Sequence, residues 1–330
     1  MRIAGPWIRP RRRVPQVMLA VILALLPGVL VSVALQGPGI LFQLVYCCIG
    51  ALGAEAGILR LRGRDLSSQL GDYSALLTGV LLGLCLPPWL PWWQALLAGS
   101  LATAVGKQLF GGLGQNPFNP AMVGYVMVLV SLPASLALWP ADTTTAWNLP
   151  WAYWLGLGEL HEVDAWTGAT PLDAMRNGLR AQLTVTEVTA DLSTDFAWLL
   201  AVAWGLGGVW LWRRGLIQWR IPIAVLAGVA LPALIAQAVD ADRFASAGFH
   251  LLHGATIFGA IFIATDPVSA STTPRGRLIY GFGIGLLTWV IRSFGDYPDG
   301  FAFAVMLLNM LVPVIDAHTV PRVYGQEHRS

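Results

Sequence analysis

The stretch of this sequence best equipped for chemistry is a polar run at residues 164–173, which reads Asp-Ala-Trp-Thr-Gly-Ala-Thr-Pro-Leu-Asp. Thr170 followed by Pro171, with Asp173 three residues on, has the spacing of a helix start. It sets a hydroxyl at the N-cap, a proline at the first helical position where its missing N–H is harmless, and an acid placed for a capping-box-like contact. A hydroxyl there has a chemical consequence. Free backbone N–H groups and the helix dipole stand where they stabilise a phosphate ester attached to it. Gly168 and Ala169 add little bulk, so a modifying enzyme or a large planar group can come close to the hydroxyl.

Two acids lie inside apolar runs, Glu55 and Asp266. A charge within a membrane span is by default a functional candidate. Either acid could line an ion path or tune a bound redox group; snorkelling to the interface, or pairing with Arg60 or Arg275, is the other reading. His250 and His253 are spaced i, i+3 and would share one face of a helix, but they have no third ligand nearby, so no metal site is expected and the pair reads as hydrogen-bonded. Cys47, Cys48 and Cys85 lack the spacing of a zinc or iron–sulfur site and read as small apolar core residues.

The elements that must position these groups are membrane helices. Of 330 residues only 12% are charged, 56% are hydrophobic, and the mean hydropathy is +0.63. A soluble globule of this size averages about 25% charged residues, so this composition describes a chain that faces lipid. The net charge of +2, with arginines scattered, excludes a nucleic-acid binder. Ten candidate spans fall near 18–35, 40–59, 73–86, 92–110, 121–139, 197–212, 221–238, 250–265, 278–291 and 301–316. With the amino terminus inside, 16 of the 20 basic residues face the cytoplasm, and only Arg176, Arg180, Arg243 and Arg292 face outward. The positive-inside rule fixes that orientation and puts both termini in the cytoplasm. Clusters of tryptophan at positions 89, 92, 93, 147, 151, 154, 210, 212 and 219 sit at span ends, as an aromatic belt does.

The expected fold is therefore an all-α polytopic membrane protein of about ten transmembrane helices. It divides into a cytoplasmic segment 1–17, a first five-helix half 18–139, an extracytoplasmic loop 140–196 between spans five and six, a second half 197–316 and a cytoplasmic tail 317–330. An odd number of spans per half makes the second half inverted. The run from Lys107 to Pro117 before span five resembles that from Arg292 to Pro298 before span ten, and the third span of each half is short and ends in proline. Short, proline-interrupted segments in matching positions point to a midplane site in transporter-like folds. The long loop carries eight acids against two arginines and holds the motif described above.

The motif from Asp164 through Thr167, Gly168 and Ala169 to Thr170 resembles the flavinylation motif of the family that contains the RnfD component of Rnf ion-translocating electron transport complexes and its counterpart in the sodium-pumping NADH:quinone reductase. The runs Gly114-Gln-Asn116-Pro-Phe-Asn119-Pro-Ala121, Ala264-Thr-Asp266-Pro-Val-Ser through Arg277, Phe294-Gly-Asp-Tyr-Pro-Asp-Gly300 and Pro321-Arg-Val-Tyr-Gly325 are also similar to that family, in order and over the whole chain. The resemblance implies FMN joined through its phosphate to Thr170, on a periplasmic loop of the bacterial inner membrane. It implies a second, non-covalent flavin, riboflavin, at Asn116 and Asn119, whose side chains both donate and accept as a flavin edge requires; capping of span five is the other reading of these two residues. It also implies an electron-carrying subunit of an ion-translocating oxidoreductase, with no catalytic residues and no nicotinamide site of its own, in a complex that couples ferredoxin–NAD electron transfer to Na⁺ or H⁺ movement. The expected partners are membrane subunits, an extracytoplasmic flavin-bearing subunit and cytoplasmic subunits that carry iron–sulfur clusters and handle NADH. Two alternatives stand beside this: a small-solute channel or transporter, which inverted halves also allow, and the quinone-reductase counterpart, which usually has a longer amino-terminal extension.

Overall fold

The computed structural model describes residues 13–148, 151–157, 166–192, 196–297 and 299–321. Regular structure among these residues is helical, apart from one isolated antiparallel bridge between Pro140 and Thr167. The first set comprises α1 (Val14–Gln36), α2 (Gly39–Leu61), the short α3 (Leu66–Leu70), α4 (Ser74–Gly83), α5 (Trp92–Ala104) and α6 (Pro120–Ser131). Four short helices follow, α7 (Thr143–Asn148), α8 (Trp151–Trp154), α9 (Pro171–Arg180) and α10 (Val185–Asp191). The second set comprises α11 (Ala197–Arg213), α12 (Arg220–Val239), α13 (Ala247–Leu252), α14 (Thr256–Phe258), α15 (Pro274–Phe294) and α16 (Phe301–Thr319), with a π-helical turn Gly259–Ile263 after α14.

Four helices, α1, α2, α12 and α16, are long and apolar enough to cross a membrane by length and composition. Their outer faces are aliphatic: Leu19, Leu23 and Leu30 on α1 and Ile223, Leu234 and Ile235 on α12 are exposed. Water would penalise such faces, whereas lipid tails need no cover over them. A helical bundle also satisfies its backbone polar groups internally, as hydrocarbon demands.

The two sets pack alike. In the first, α2 lies on α4 and α5, and α5 on α6; in the second, α12 lies on α13 and α15, and α15 on α16. They meet through like partners, α1 with α11 and α6 with α16. The register of close approach repeats as well. A Cβ added to Gly50 would sit 2.1 Å from the Leu96 carbonyl oxygen, and one on Gly99 2.2 Å from that of Cys47. Gly228 stands to Phe282 at 2.3 Å, and Gly285 to Val225 at 2.1 Å, in the same way. Each helix pair thus closes through two glycines, because without a hydrophobic force between helices close backbone packing must do the holding.

Three sequence expectations change in detail. The eighth span is broken: α13 stops at Leu252, and Gly254 turns the chain with φ +68° where a Cβ would collide with Asp299, Leu172 and Arg292. His250 stays on α13 and His253 is its C-cap, where His253 Nδ1 meets the Phe249 carbonyl at 2.8 Å. The third span shrinks to the ten residues of α4, ahead of Pro87 and Pro88, because a residue preceding proline is pushed out of helical conformation. Trp89 and Trp154 leave the expected belt for a buried cluster with Tyr153, in which Trp154 Nε1 donates to the Pro88 carbonyl at 3.1 Å. Trp92, Trp93, Trp147, Trp151, Trp212 and Trp219 remain exposed.

Candidate functional site

Thr170 is the N-cap of α9, extended at φ −63° and ψ 156°, with Pro171 at the first helical position. Its Oγ1 accepts from the Asp173 amide at 3.2 Å and donates to Asp173 Oδ2 at 2.8 Å. The acid so placed meets the cap hydroxyl rather than the cap amide, because aspartate is one methylene shorter than the glutamate of a full capping box. Thr184 and Glu187 at the start of α10 make the full box, the Thr184 amide donating to Glu187 Oε2 at 2.7 Å. Asp173 Oδ1 is held by Arg176 Nη2 at 3.2 Å. Thr170 is half-buried and Ala169 beside it is exposed. Asp164, the first residue of the motif, lies outside the described residues.

The motif straddles the two helix sets. On one side Thr167 bridges Pro140, the Ala141 amide donates to the Trp166 carbonyl at 3.0 Å, and the Gly168 amide donates to the Trp139 carbonyl at 2.9 Å. Gly168 spends its missing side chain on that pairing, since a Cβ there would lie 2.6 Å from Ala141 Cα. Trp166 packs against the cluster of Trp89 and Trp154. On the other side Leu172 and Met175 of α9 pack with Ala245 and Phe249. Arg180 reaches Asp296 Oδ1 at 2.6 Å and the Gly295 carbonyl at 3.3 Å, and Arg176 donates to the Asp296 carbonyl, just past α15. Thr170 sits between the two attachments.

The other candidates fall into two buried polar knots. Asn119 caps α6, accepting from the Ala121 and Met122 amides at 3.0 and 3.3 Å, and its Nδ2 donates to the Ile263 carbonyl at 3.4 Å. The Asn119 amide in turn donates to the Asn309 side chain at 3.0 Å, whose nitrogen reaches the Ser269 carbonyl, and Ser269 Oγ donates to Asp266 Oδ2 at 2.9 Å. Asn119 and Asp266 thus join through Ser269 and Asn309, with the Tyr280 hydroxyl 2.7 Å from Asn309. Asn116 donates to the Phe118 carbonyl at 2.8 Å, and its Oδ1 is buried without a partner. In the second knot Glu55 pairs with Lys107, not Arg60, at 2.6 Å; Lys107 also donates to Ser74 Oγ, and Gln108 to Glu55, leaving Glu55 Oε2 unpartnered. Asp266, instead of pairing with Arg275, caps its own turn through the Val268 amide at 3.2 Å.

The model of the NQR2, RnfD, RnfE family matches residues 2–325. The chain belongs to that family. Among the relatives it matches is an Aeromonas hydrophila protein named as the D component of an ion-translocating oxidoreductase complex, 45% identical over 99% of both chains. Proteins of the same name from Escherichia coli O7:K1 and Citrobacter koseri are 43% and 42% identical, covering 100% and 98% of this chain and 99% of each relative. The family match runs through the Thr170 motif, both knots and every helix described above.

Sequence reasoning overlooked Arg176, Arg180 and Asp296 at the motif, and Asn309 with Tyr280 beside Asn119. A polar Asn309 in the middle of the run from Phe301 to Ile315, apolar elsewhere, was the available signal. The arginine contacts cross more than a hundred residues of chain and left no local mark.

Proposed function

We propose that this chain is the membrane electron-carrying subunit of an Rnf-type complex, with FMN joined through its phosphate to Thr170 and riboflavin held near Asn116 and Asn119. The complex passes electrons between ferredoxin and NAD and moves Na⁺ or H⁺ across a bacterial inner membrane, together with further membrane, extracytoplasmic flavin-bearing and cytoplasmic iron–sulfur subunits. Ten spans in two inverted halves, both termini cytoplasmic and the Thr170 loop outside, complete the reading. The like-with-like meeting of α1 with α11 and α6 with α16 supports the paired halves.

The observation that carries the proposal is the state of Thr170: a half-buried N-cap residue whose hydroxyl meets Asp173, itself ion-paired to Arg176, in a chain that matches the family over residues 2–325. The residues fit the groups. The α9 N-terminus and Arg176 offset a phosphate's charge, and the orphaned Asn116 Oδ1 offers an acceptor to a ligand N–H. Bound flavin supplies the electron-accepting ring; the protein supplies place and electrostatics. Thr170 would hold the phosphate, Trp166 and α9 would fix the tether, and the Asn119 knot would orient the second site.

The intact mass of the chain from its own membranes should exceed the sequence mass by one FMN, and Thr170→Ala should remove both the increment and the fluorescence that comigrates with denatured polypeptide. A colourless native chain of unmodified mass would instead favour a solute channel.

A further inference from the structure

A neutral hydroxyl is a weak nucleophile, and phosphoryl acceptors are commonly served by an aspartate that takes the hydroxyl proton. Thr170 has such a carboxylate at 2.8 Å. Of the hydroxyl–carboxylate contacts described in the segment that carries the motif, three are alike at first sight. Thr144 donates to Asp142 Oδ1, but that oxygen also accepts from the Thr145 amide at 2.7 Å. Thr184 donates to Glu187 Oε2, which also accepts from the Thr184 amide at 2.7 Å. Asp173 differs: Arg176 occupies Oδ1, while Oδ2 receives the Thr170 hydroxyl and no amide. A lone pair there is available to the proton. Arg176 is itself fixed to the Asp296 carbonyl, so the carboxylate is held from behind.

We infer that Asp173 is the in-chain base for attaching the flavin phosphate to Thr170, with Arg176 as its positioning residue; the inference rests on the flavinylation proposed above. Joining an alcohol to a phosphate requires a donor activated as an anhydride, such as a flavin dinucleotide, presented by a transferase. Thr170 Oγ1 forms the bond to the flavin-side phosphorus, and the anhydride P–O bond breaks. The nucleoside monophosphate leaves with that electron pair, and the hydroxyl proton passes to Asp173 Oδ2. Arg176, one turn beyond Asp173 on the same helix, then supplies a positive charge against those of the phosphodiester and of Asp173.

The test uses the full-length chain in lipid nanodiscs, flavin adenine dinucleotide and the flavin transferase of the same cells, following covalent fluorescence and intact mass over a range of pH. Asp173→Asn keeps size and helix but should slow attachment on the order of a hundredfold and flatten the decline of rate toward acid. Asp173→Glu should recover most of the rate, since Glu187 reaches the Thr184 hydroxyl from the same helical position at 2.9 Å. Asp173→Asn reacting at the wild-type rate with the wild-type pH profile overturns the base role, as does a glutamate variant no faster than the asparagine one. Peptide mapping separates the two readings. Flavin recovered on Thr170 in a slow asparagine variant supports both, whereas a Thr170→Ala chain that still takes up flavin sinks the attachment site itself.

Discussion

Lys107 and Glu55 place two charges where neither would sit alone, at 2% and 1% side-chain exposure. Removing one partner of such a pair strands the other, at about 3–5 kcal/mol, whereas removing both is close to neutral. Lys107→Met should therefore lower the unfolding midpoint in detergent markedly, and Lys107→Met with Glu55→Gln should recover most of the loss; equal midpoints for the single and double variants would show that the two are uncoupled. Asp142, beside the bridge that pins the motif, makes a milder case. The Thr144 hydroxyl and Thr145 amide hold its carboxyl below the usual range. A depressed carboxyl stabilises the fold above its unfolded value, near about 3.9, and that contribution fades as pH falls through the lower folded value. Protection of the Thr145 amide, relative to its intrinsic exchange rate at each pH, should fall over that acid range, and Asp142→Asn should abolish that change in protection. The Thr170 cap could be read from sequence because capping is settled within four residues. The partner of Glu55 could not, because Lys107 and Gln108 reach it from more than fifty residues away.

At the level of elements, the glycine pairs make a matched experiment. Gly50→Ala and Gly228→Ala each drive a Cβ into a carbonyl of the facing helix and should cost about 1–3 kcal/mol apiece. Gly53, one turn along the same α2, meets nothing within 4 Å, so Gly53→Ala should gain up to about 1 kcal/mol from helix propensity. Thermal melts of the three variants decide it, and a Gly50→Ala chain as stable as Gly53→Ala would deny the close contact. The sequence carried this register as glycine spacing, yet nothing in one chain says which glycines face each other. The repeat that was legible, around Lys107 and Arg292, marks the ends of the corresponding helices α5 and α15, and both cations are buried, at 2% and 6% exposure. The break before α14 stayed hidden because an apolar run has the same hydropathy whether straight or kinked.

For the molecule as a whole, the orientation set by its basic residues is open to direct labelling. Thr186→Cys, in a chain freed of Cys47, Cys48 and Cys85, should react with a membrane-impermeant thiol reagent on intact cells, whereas Ser68→Cys should react only after the cells are opened. Labelling of Ser68→Cys from outside would invert the orientation and move Thr170 to the cytosol. Hydropathy was enough to find the four long apolar helices but not how the bundle closes, since that closure depends on contacts such as Arg180 with Asp296 that unite distant parts of the chain. The same contact has a practical use. Because residues 139–141 grip the motif from one bundle and residues 295–296 from the other, any slippage between them, whether from thinner lipid, an inhibitor wedge or turnover itself, must be felt at Thr170. A dye fixed there would act as a strain gauge, its emission lifetime reporting that shear in living membranes without any added label.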